Sequence, residues 1–262
     1  MATLLETAND APAHRSRLVA SIGATLGALR GSRPRIHAIT SPVAQSLTAN
    51  GLLALGAIPS LTVNLEEIED FVLSASAVLL NLGMLDADRF EALPAAARLS
   101  ATHGRRFVVD PVFADRSPRR IALARGLLSA NPAIVKLNAS EAEAFARDIP
   151  PGSVTLVTGA HDHIRLGARE VSLSNGHPML GQMTATGCLL GAILAACLAV
   201  EDDPFLAAIA GVSILNIAAE IAAESAAGPG SFAVRLIDAL AALDAGAIQR
   251  HLKLEALRDD LA

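Results

Sequence analysis

Met183-Thr184-Ala185-Thr186-Gly187-Cys188 runs directly into Leu189-Leu190-Gly191-Ala192-Ile193-Leu194-Ala195-Ala196-Cys197-Leu198-Ala199-Val200, and two architectures compete for this stretch. The apolar run from Gly187 to Val200 is 14 residues long and stops at Glu201, Asp202, Asp203 and Pro204. A membrane-spanning helix needs about 20 apolar residues, so the run reads as the buried core helix of a soluble domain. Ahead of it, small residues lead into the helix and leave free backbone N–H groups and the positive end of the helix dipole facing outward, which is an anion site. Cys188, in the first turn, sees the same field, and its thiol pKa is expected to fall toward neutrality. Two readings stay open here: a phosphate cradle with a thiolate able to help deprotonate an attacking hydroxyl, or a buried structural cysteine beside an ordinary helix start.

Outward from that helix the chain alternates between short β-branched runs and longer Ala/Leu-rich segments of helical period. Strands are expected at Ile36 to Thr40, Ile58 to Val63, Ala77 to Asn81, Arg106 to Val109, Ile134 to Leu137 and Val154 to Val157, with a hairpin-like pair at Ile164 to Leu166 and Glu170 to Leu173. Helices are expected at Ala44 to Leu55, closed by Gly56, and at Asp86 to Thr102 with a candidate kink at Pro94. Another has an acidic start at Glu66, Glu67 and Glu69, charges that suit a helix N-terminus. The last third reads as helical at Gly187 to Val200, Pro204 to Ser225, Ser231 to Leu243 and near Ala247 to Leu257, while Arg15 to Leu29 has only a moderate helical pattern. Strand–helix alternation without repeats or linkers predicts one α/β domain over residues 1–262, a mostly parallel sheet with helices on both faces.

Composition narrows the function. The chain has 262 residues, is 52% apolar, has a net charge of −5 and only 3% aromatic residues, with no Trp and no Tyr. It lacks a phosphate-tracking basic surface and a base-stacking platform, which argues against nucleic acid as a partner. The mean hydropathy of +0.44 is too apolar for disorder. The N-terminus, with Glu6 and Asp10, has no signal-peptide pattern. Cys188 and Cys197 lie roughly 13 Å apart if both are on one helix, too far for a disulfide, so a reduced cytoplasmic protein is expected. Cys197 reads as core.

In an open parallel sheet, ligands bind beyond the carboxyl ends of the strands. Those ends carry Thr40 and Ser41, Asn81 and Gly83, Asp110, Asn138, and Thr158 and Gly159. Each alone reads equally as a cap or turn; their collection on one edge marks that edge. In Lys136-Leu137-Asn138-Ala139-Ser140-Glu141, Asn138 and Glu141 match a reciprocal capping arrangement. The alternative for Glu141 is a carboxylate that holds Mg²⁺ beside a phosphate, joined by Asp110; Asp110-Pro111 also serves as a plain strand end. His161 and His163, flanking Asp162, read as a solvated loop rather than metal ligands. No G-x-G-x-x-G follows the first strand, and no P-loop or G-x-S-x-G elbow occurs.

Eight segments in order, from about Ile36 to Leu243, resemble the hydroxyethylthiazole kinase family, whose fold is ribokinase-like. They are Ala49-Asn50-Gly51-Leu52-Leu53-Ala54-Leu55-Gly56-Ala57, Leu80-Asn81-Leu82-Gly83, Asp110-Pro111-Val112, Asn138-Ala139-Ser140-Glu141, Val157-Thr158-Gly159, Asn175-Gly176-His177-Pro178, Thr186-Gly187-Cys188 and Gly228-Pro229-Gly230-Ser231-Phe232. The resemblance implies ATP- and Mg²⁺-dependent phosphorylation of the alcohol of 4-methyl-5-(2-hydroxyethyl)thiazole, in thiamine salvage, by a homotrimer with sites at subunit interfaces. It implies that Cys188 stands where related sugar kinases carry an aspartate base, and that Gly187 contacts substrate and the transferring phosphate. Thr158, Thr186, Asn138 and Lys136 fall at the ATP, Asp110 and Glu141 at the Mg²⁺–phosphate end, and Gln45 and Asn50 at the thiazole.

The same resemblance marks departures. Gln45 replaces a substrate-contacting Met, and Lys136 replaces an ATP-contacting Arg, losing the bidentate fork but keeping the charge. Phe113-Ala114-Asp115 replaces a glycine-rich turn, and Ala185 replaces the first glycine of Gly-Thr-Gly-Cys. Two further functions fit such a pattern: a kinase for another small hydroxylated heterocycle such as hydroxymethylpyrimidine, or a catalytically weakened ligand-binding homologue.

Overall fold

The computed structural model describes residues 11–258, which build one nine-stranded sheet in the order β2-β1-β3-β4-β5-β6-β7-β8-β9. The six strands β1 (Arg35–Ile39), β2 (Ile58–Ser60), β3 (Ala77–Asn81), β4 (Phe107–Asp110), β5 (Ile134–Asn138) and β6 (Val154–Thr158) are mutually parallel. The remaining three, β7 (Asp162–Leu166), β8 (Arg169–Leu173) and β9 (Leu254–Arg258), extend the sheet in antiparallel fashion.

The parallel strands are apolar on both faces because both are covered. In β3, Ala77 and Leu79 face one core with Val108 and Ile134, whereas Val78 and Leu80 face the other with Phe107, Val109 and Val135. The first core is filled by α1 (Ala11–Ser32), α2 (Gln45–Ala54), α7 (Thr186–Leu198), α8 (Pro204–Ala223), α9 (Pro229–Ala242) and α10 (Ala245–His251). The second is filled by α3 (Ile68–Ser74), α4 (Ala87–Thr102), α5 (Pro118–Leu128) and α6 (Ala139–Phe145). On the β7–β8 hairpin only one face is covered: Ile164, Val171 and Leu173 are buried while His163 and Arg165 are exposed.

The expected strands and the alternation hold, with boundary shifts of a few residues. Helix α4 runs through Pro94 without a break in assignment. Three elements differ from expectation. The segment expected as a charged helix to Leu257 stops at His251, and Leu254–Arg258 pairs with β8 as an edge strand, since a free sheet edge offers backbone partners that a helix would forgo. Helix α5 was not expected; Pro118 at its first turn starts it. The moderately patterned N-terminal stretch is a 22-residue helix, fastened where Arg15 donates to Gln249 O and Leu252 O, and Arg30 to Leu240 O and Ala241 O.

Helix α8, not the run from Gly187 to Val200, is the longer apolar helix, and among the described residues it alone is long and apolar enough to cross a membrane. It is buried between α1, α7 and α9. Helix α7 is wedged by close approaches. A Cβ at Gly51 of α2 would collide with Leu189, one at Gly191 would lie 2.9 Å from Leu79 Cδ1 of the sheet, and one at Gly211 of α8 would lie 2.8 Å from Leu194 Cδ2.

Candidate functional site

The register places the polar strand ends side by side at the carboxyl edge: Asn81 opposite Asp110, and Asn138 opposite Thr158. The N-terminus of α7 meets that edge. Its first backbone bond runs from Leu189 N–H to Ala185 C=O, so the N–H groups of Thr186, Gly187 and Cys188 have no partner within the helix. Ala185, the residue before the helix, has φ 75° and ψ −1°, a left-handed conformation that costs a non-glycine residue about 1–2 kcal/mol. Met84 (φ 40°) and Phe113 (φ 54°) adopt the same region in the loops after β3 and β4. Three of the five non-glycine residues with positive φ among those described therefore border this edge, and strain of this kind collects at functional sites.

A cleft of about 620 Å³ opens on one side of this turn. Lys136, Thr158, Thr186 and Gly187 line it, together with Asp162, the Asn175-Gly176-His177-Pro178 strap, Leu215 and Asn216. Thr158 Oγ1 donates to Leu137 O at 3.2 Å and Thr186 Oγ1 to Leu180 O at 2.9 Å, fixing both hydroxyls on the cleft wall. The strap is held by Glu220, whose Oε1 accepts from Gly176 N–H and Asn175 Nδ2, and by Asn216 Nδ2, which donates to Asn175 O and to Asp162 Oδ2.

On the other side of the turn lies a buried polar network. Asp110 Oδ2 accepts from Lys136 Nζ at 3.0 Å and from Asn81 Nδ2 at 2.8 Å. Asn81 Oδ1 accepts from Gly83 N–H at 3.0 Å, from Thr40 Oγ1 at 3.4 Å and from the Cys188 thiol at 3.6 Å. Lys136 bridges the two sides. It lines the cleft, pairs with Asp110, and its Nζ lies 3.5 Å from where a Cβ on Gly187 would stand. Burial opposes its charge, but the carboxylates of Asp110 and Glu141 outweigh that and hold its pKa above the usual lysine value. Burial pushes the Asp110 carboxyl upward, against the pull of Lys136 and Asn81.

The expectation of a lowered Cys188 pKa is overturned. Burial and then the Asp110 charge push the thiol above its ordinary value, and these outweigh the hydrogen bonds and Lys136. The helix dipole acts over one turn and is weaker than desolvation here. Cys197 is fully buried, its thiol pushed up to about 12.

Of the other expected residues, Asn138 and Glu141 form the capping box of α6: Asn138 Oδ1 accepts from Glu141 N–H at 2.9 Å and Glu141 Oε2 from Asn138 N–H at 3.0 Å. Glu141 Oε1 also accepts from Phe113 N–H, which ties the β4 loop to α6. Burial raises the Glu141 carboxyl, opposed by the two backbone bonds. Gln45 is half-buried at the start of α2, and Asn50 is exposed on it; neither lines the cleft nor joins the Asp110 network. His161 is exposed in a turn beside Glu255, whereas His163 and Asp162 lie on β7 rather than in a loop, and Asp162 is buried. Asn216, Asn175 and His177 were not singled out as site residues; a lone buried Asn in an apolar helix is the signal that points to Asn216.

A magnesium ion can be tested against these donors. Asp110 Oδ1 is buried and has no partner among the described residues, and the neighbouring carboxylate is Glu141. No group of three or more His, Cys, Asp or Glu able to hold a metal occurs among the described residues. One spare buried carboxylate oxygen with a second carboxylate nearby fits a hard cation that keeps waters and phosphate oxygens as its other ligands.

The sequence model of the hydroxyethylthiazole kinase family matches residues 26–150 and 146–246. The chain belongs to that family. Its relatives include the probable hydroxyethylthiazole kinase of Agrobacterium fabrum, 41% identical over 87% of this chain and 92% of that protein. The hydroxyethylthiazole kinase of Granulibacter bethesdensis is 38% identical over 84% and 89% respectively. The hydroxyethylthiazole kinase protein from Pyrococcus horikoshii superposes with a TM-score of 0.85 at 33% identity, covering 89% of this chain and 98% of that one. A ribokinase-like protein from Enterococcus faecalis, 13% identical, shares the fold with a TM-score of 0.58 over 80% and 88%. The family's fold is the ribokinase-like fold expected from the sequence.

Proposed function

We propose that the chain phosphorylates the hydroxyethyl group of 4-methyl-5-(2-hydroxyethyl)thiazole with ATP, a step of thiamine salvage. The observation that carries this reading is the division of labour in the first turn of α7. Gly187 faces the cleft and Cys188 faces the Asn81–Asp110 network, so one turn of unbonded N–H groups stands between a nucleotide-sized space and a polar, buried pocket wall. Phosphoryl transfer asks a protein mainly for positioning and charge neutralisation. Thr158, Thr186 and the strap place the nucleotide; the Gly187 amide and Lys136 ammonium meet its terminal phosphate; Cys188 stands on the alcohol side and receives its proton late in transfer. Asn138 shapes the neighbouring strand end through its cap, and Gln45 and Asn50, on α2 outside the cleft and the Asp110 network, are the residues that the family resemblance assigns to the thiazole. Asp110 and Glu141 are the residues to hold Mg²⁺, which supplies charge neutralisation to the phosphates when bound.

This reading includes one domain over residues 1–262, a cytoplasmic location and a homotrimer. Val43 just ahead of α2, Leu53 on it, Ile58 on the edge strand β2 and Leu65 in the loop that follows are exposed and support an interface on that side.

Purified protein with Mg²⁺-ATP and a panel of hydroxyalkyl thiazoles and pyrimidines, scored for ADP release, tests the reaction. The hydroxyethyl thiazole should exceed hydroxymethylpyrimidine by about tenfold or more in kcat/KM, the discrimination a shaped pocket provides. Preference for the pyrimidine alcohol would move the assignment to that substrate. Ligand binding without turnover on any alcohol would make the chain a weakened binding homologue.

A further inference from the structure

Asn81 and Asp110 end β3 and β4, and the loops that follow each contain a residue whose conformation backbone sterics disfavour. Met84 and Phe113 hold positive φ, and both present large apolar side chains to solvent, at 56% and 59% exposure. Such a conformation persists only where surroundings over-determine it. The surroundings here are specific. Leu82 N–H donates to Asp110 O at 3.0 Å, Gly83 N–H to Asn81 Oδ1, and Phe113 N–H to Glu141 Oε1. Across them reaches Arg120 from α5: its Nη1 donates to Leu82 O at 2.7 Å and to Val112 O at 2.8 Å. The two acceptors are each one or two residues from a strained position. Among the described residues Arg120 has no carboxylate within ion-pair distance, so this half-buried guanidinium is engaged through backbone carbonyls of these two loops.

We propose that Arg120 is a positioning residue, stapling the β3 and β4 loops so that Met84 and Phe113 form an apolar wall for the ring of the acceptor alcohol beside Asp110. The nucleotide occupies the other side of the α7 turn, in the cleft that neither loop lines. The acceptor's heterocycle is then left with the side on which these loops end. This inference rests on the kinase reading above for the identity of the acceptor, and on the loop geometry alone for the staple.

The test uses Arg120→Met, Arg120→Lys and the double variant Arg120→Met/Phe113→Gly in the full chain. Steady-state kinetics with 4-methyl-5-(2-hydroxyethyl)thiazole and Mg²⁺-ATP are run beside backbone amide exchange of residues 82–84 and 112–114. Arg120→Met should raise KM for the alcohol about tenfold or more while KM for ATP changes less than about twofold, because loss of an oriented binding wall is read in the substrate it touches. Amide exchange should speed up in both loops together and stay unchanged at residues 158–160. Arg120→Lys, which keeps the charge and one donor, should recover part of the loss. The double variant should recover amide protection at residues 112–114, since glycine takes positive φ without help, while its KM for the alcohol stays raised because the Phe113 face of the wall is gone. Equal losses for ATP and alcohol, or a lower melting temperature with unchanged kinetics, would reduce Arg120 to a purely structural role and overturn the proposal. If the unmodified chain turns over no thiazole alcohol, the kinase reading fails by itself. The staple is then judged by amide exchange, and loss of protection in one loop only, or in neither, overturns it.

Discussion

Cys188 sits where two influences oppose each other. The helix end favours a thiolate, while burial and the Asp110 carboxylate favour the thiol, and the second pair wins. The sign for catalysis follows. A base whose pKa lies above the ordinary thiol value is protonated at neutral pH, and its active form grows about tenfold per pH unit until the pKa is reached. kcat/KM should therefore climb between pH 7 and 9. Cys188→Ser should flatten that climb and lower kcat by about 100-fold, with ATP affinity within about twofold. A flat profile in the unmodified chain, or a serine variant with undiminished turnover, would remove the thiol from proton transfer. At this scale the sequence exposes residue types and their positions, which singled out Asp110, Cys188 and Glu141, while Lys136 entered through the family resemblance. It does not expose desolvation, which depends on how the folded chain encloses the first turn of α7. The direction of the Cys188 shift was misjudged for that reason.

Among the elements, α7 is entered through Ala185 in a left-handed conformation that its β-carbon resists. Ala185→Gly should relieve about 1–2 kcal/mol of native-state strain and return about 0.5–1 kcal/mol to the unfolded chain's entropy. The net gain, about 0.5–1 kcal/mol, should raise the melting temperature by about 1–3 °C in a chain of this size. A lower melting temperature would mean that the methyl group makes a packing contribution larger than the strain. Elements with strong local codes were legible: the fully buried Ala77–Asn81 strand, and α6, whose Asn138–Glu141 box is local chemistry. Elements defined by partners were not. Leu254–Arg258 is half exposed and charged, and only the edge of β8 makes it a strand. Helix α5 carries arginines where an apolar stripe would announce it, and one of them, Arg120, is occupied with loop carbonyls rather than solvent.

For the whole molecule, the alternation of strand and helix was enough to foresee a parallel sheet covered on both faces, because strands such as β3 are apolar at successive positions up to the terminal Asn81. Assembly is a separate matter. The exposed apolar residues near α2 and β2 lie at one edge of the sheet, and a second and third copy of the chain would cover them. Light scattering at working concentration should give about three times 26.9 kDa. A stable monomer that still turns over the thiazole alcohol would separate catalysis from assembly and end the trimeric reading.

The glycines that press α2, the sheet and α8 against α7 have a mechanical corollary. With neighbours in contact on three sides, the helix has no slack along its axis, and its leading turn is a fixed datum. Substrate entry and product exit must be handled by the loops that surround it, while the amides stay aimed. A single methyl added at Gly211, against a leucine about two helical turns from Gly187, would then act as misalignment at the phosphate, felt in the rate although no reacting atom is touched.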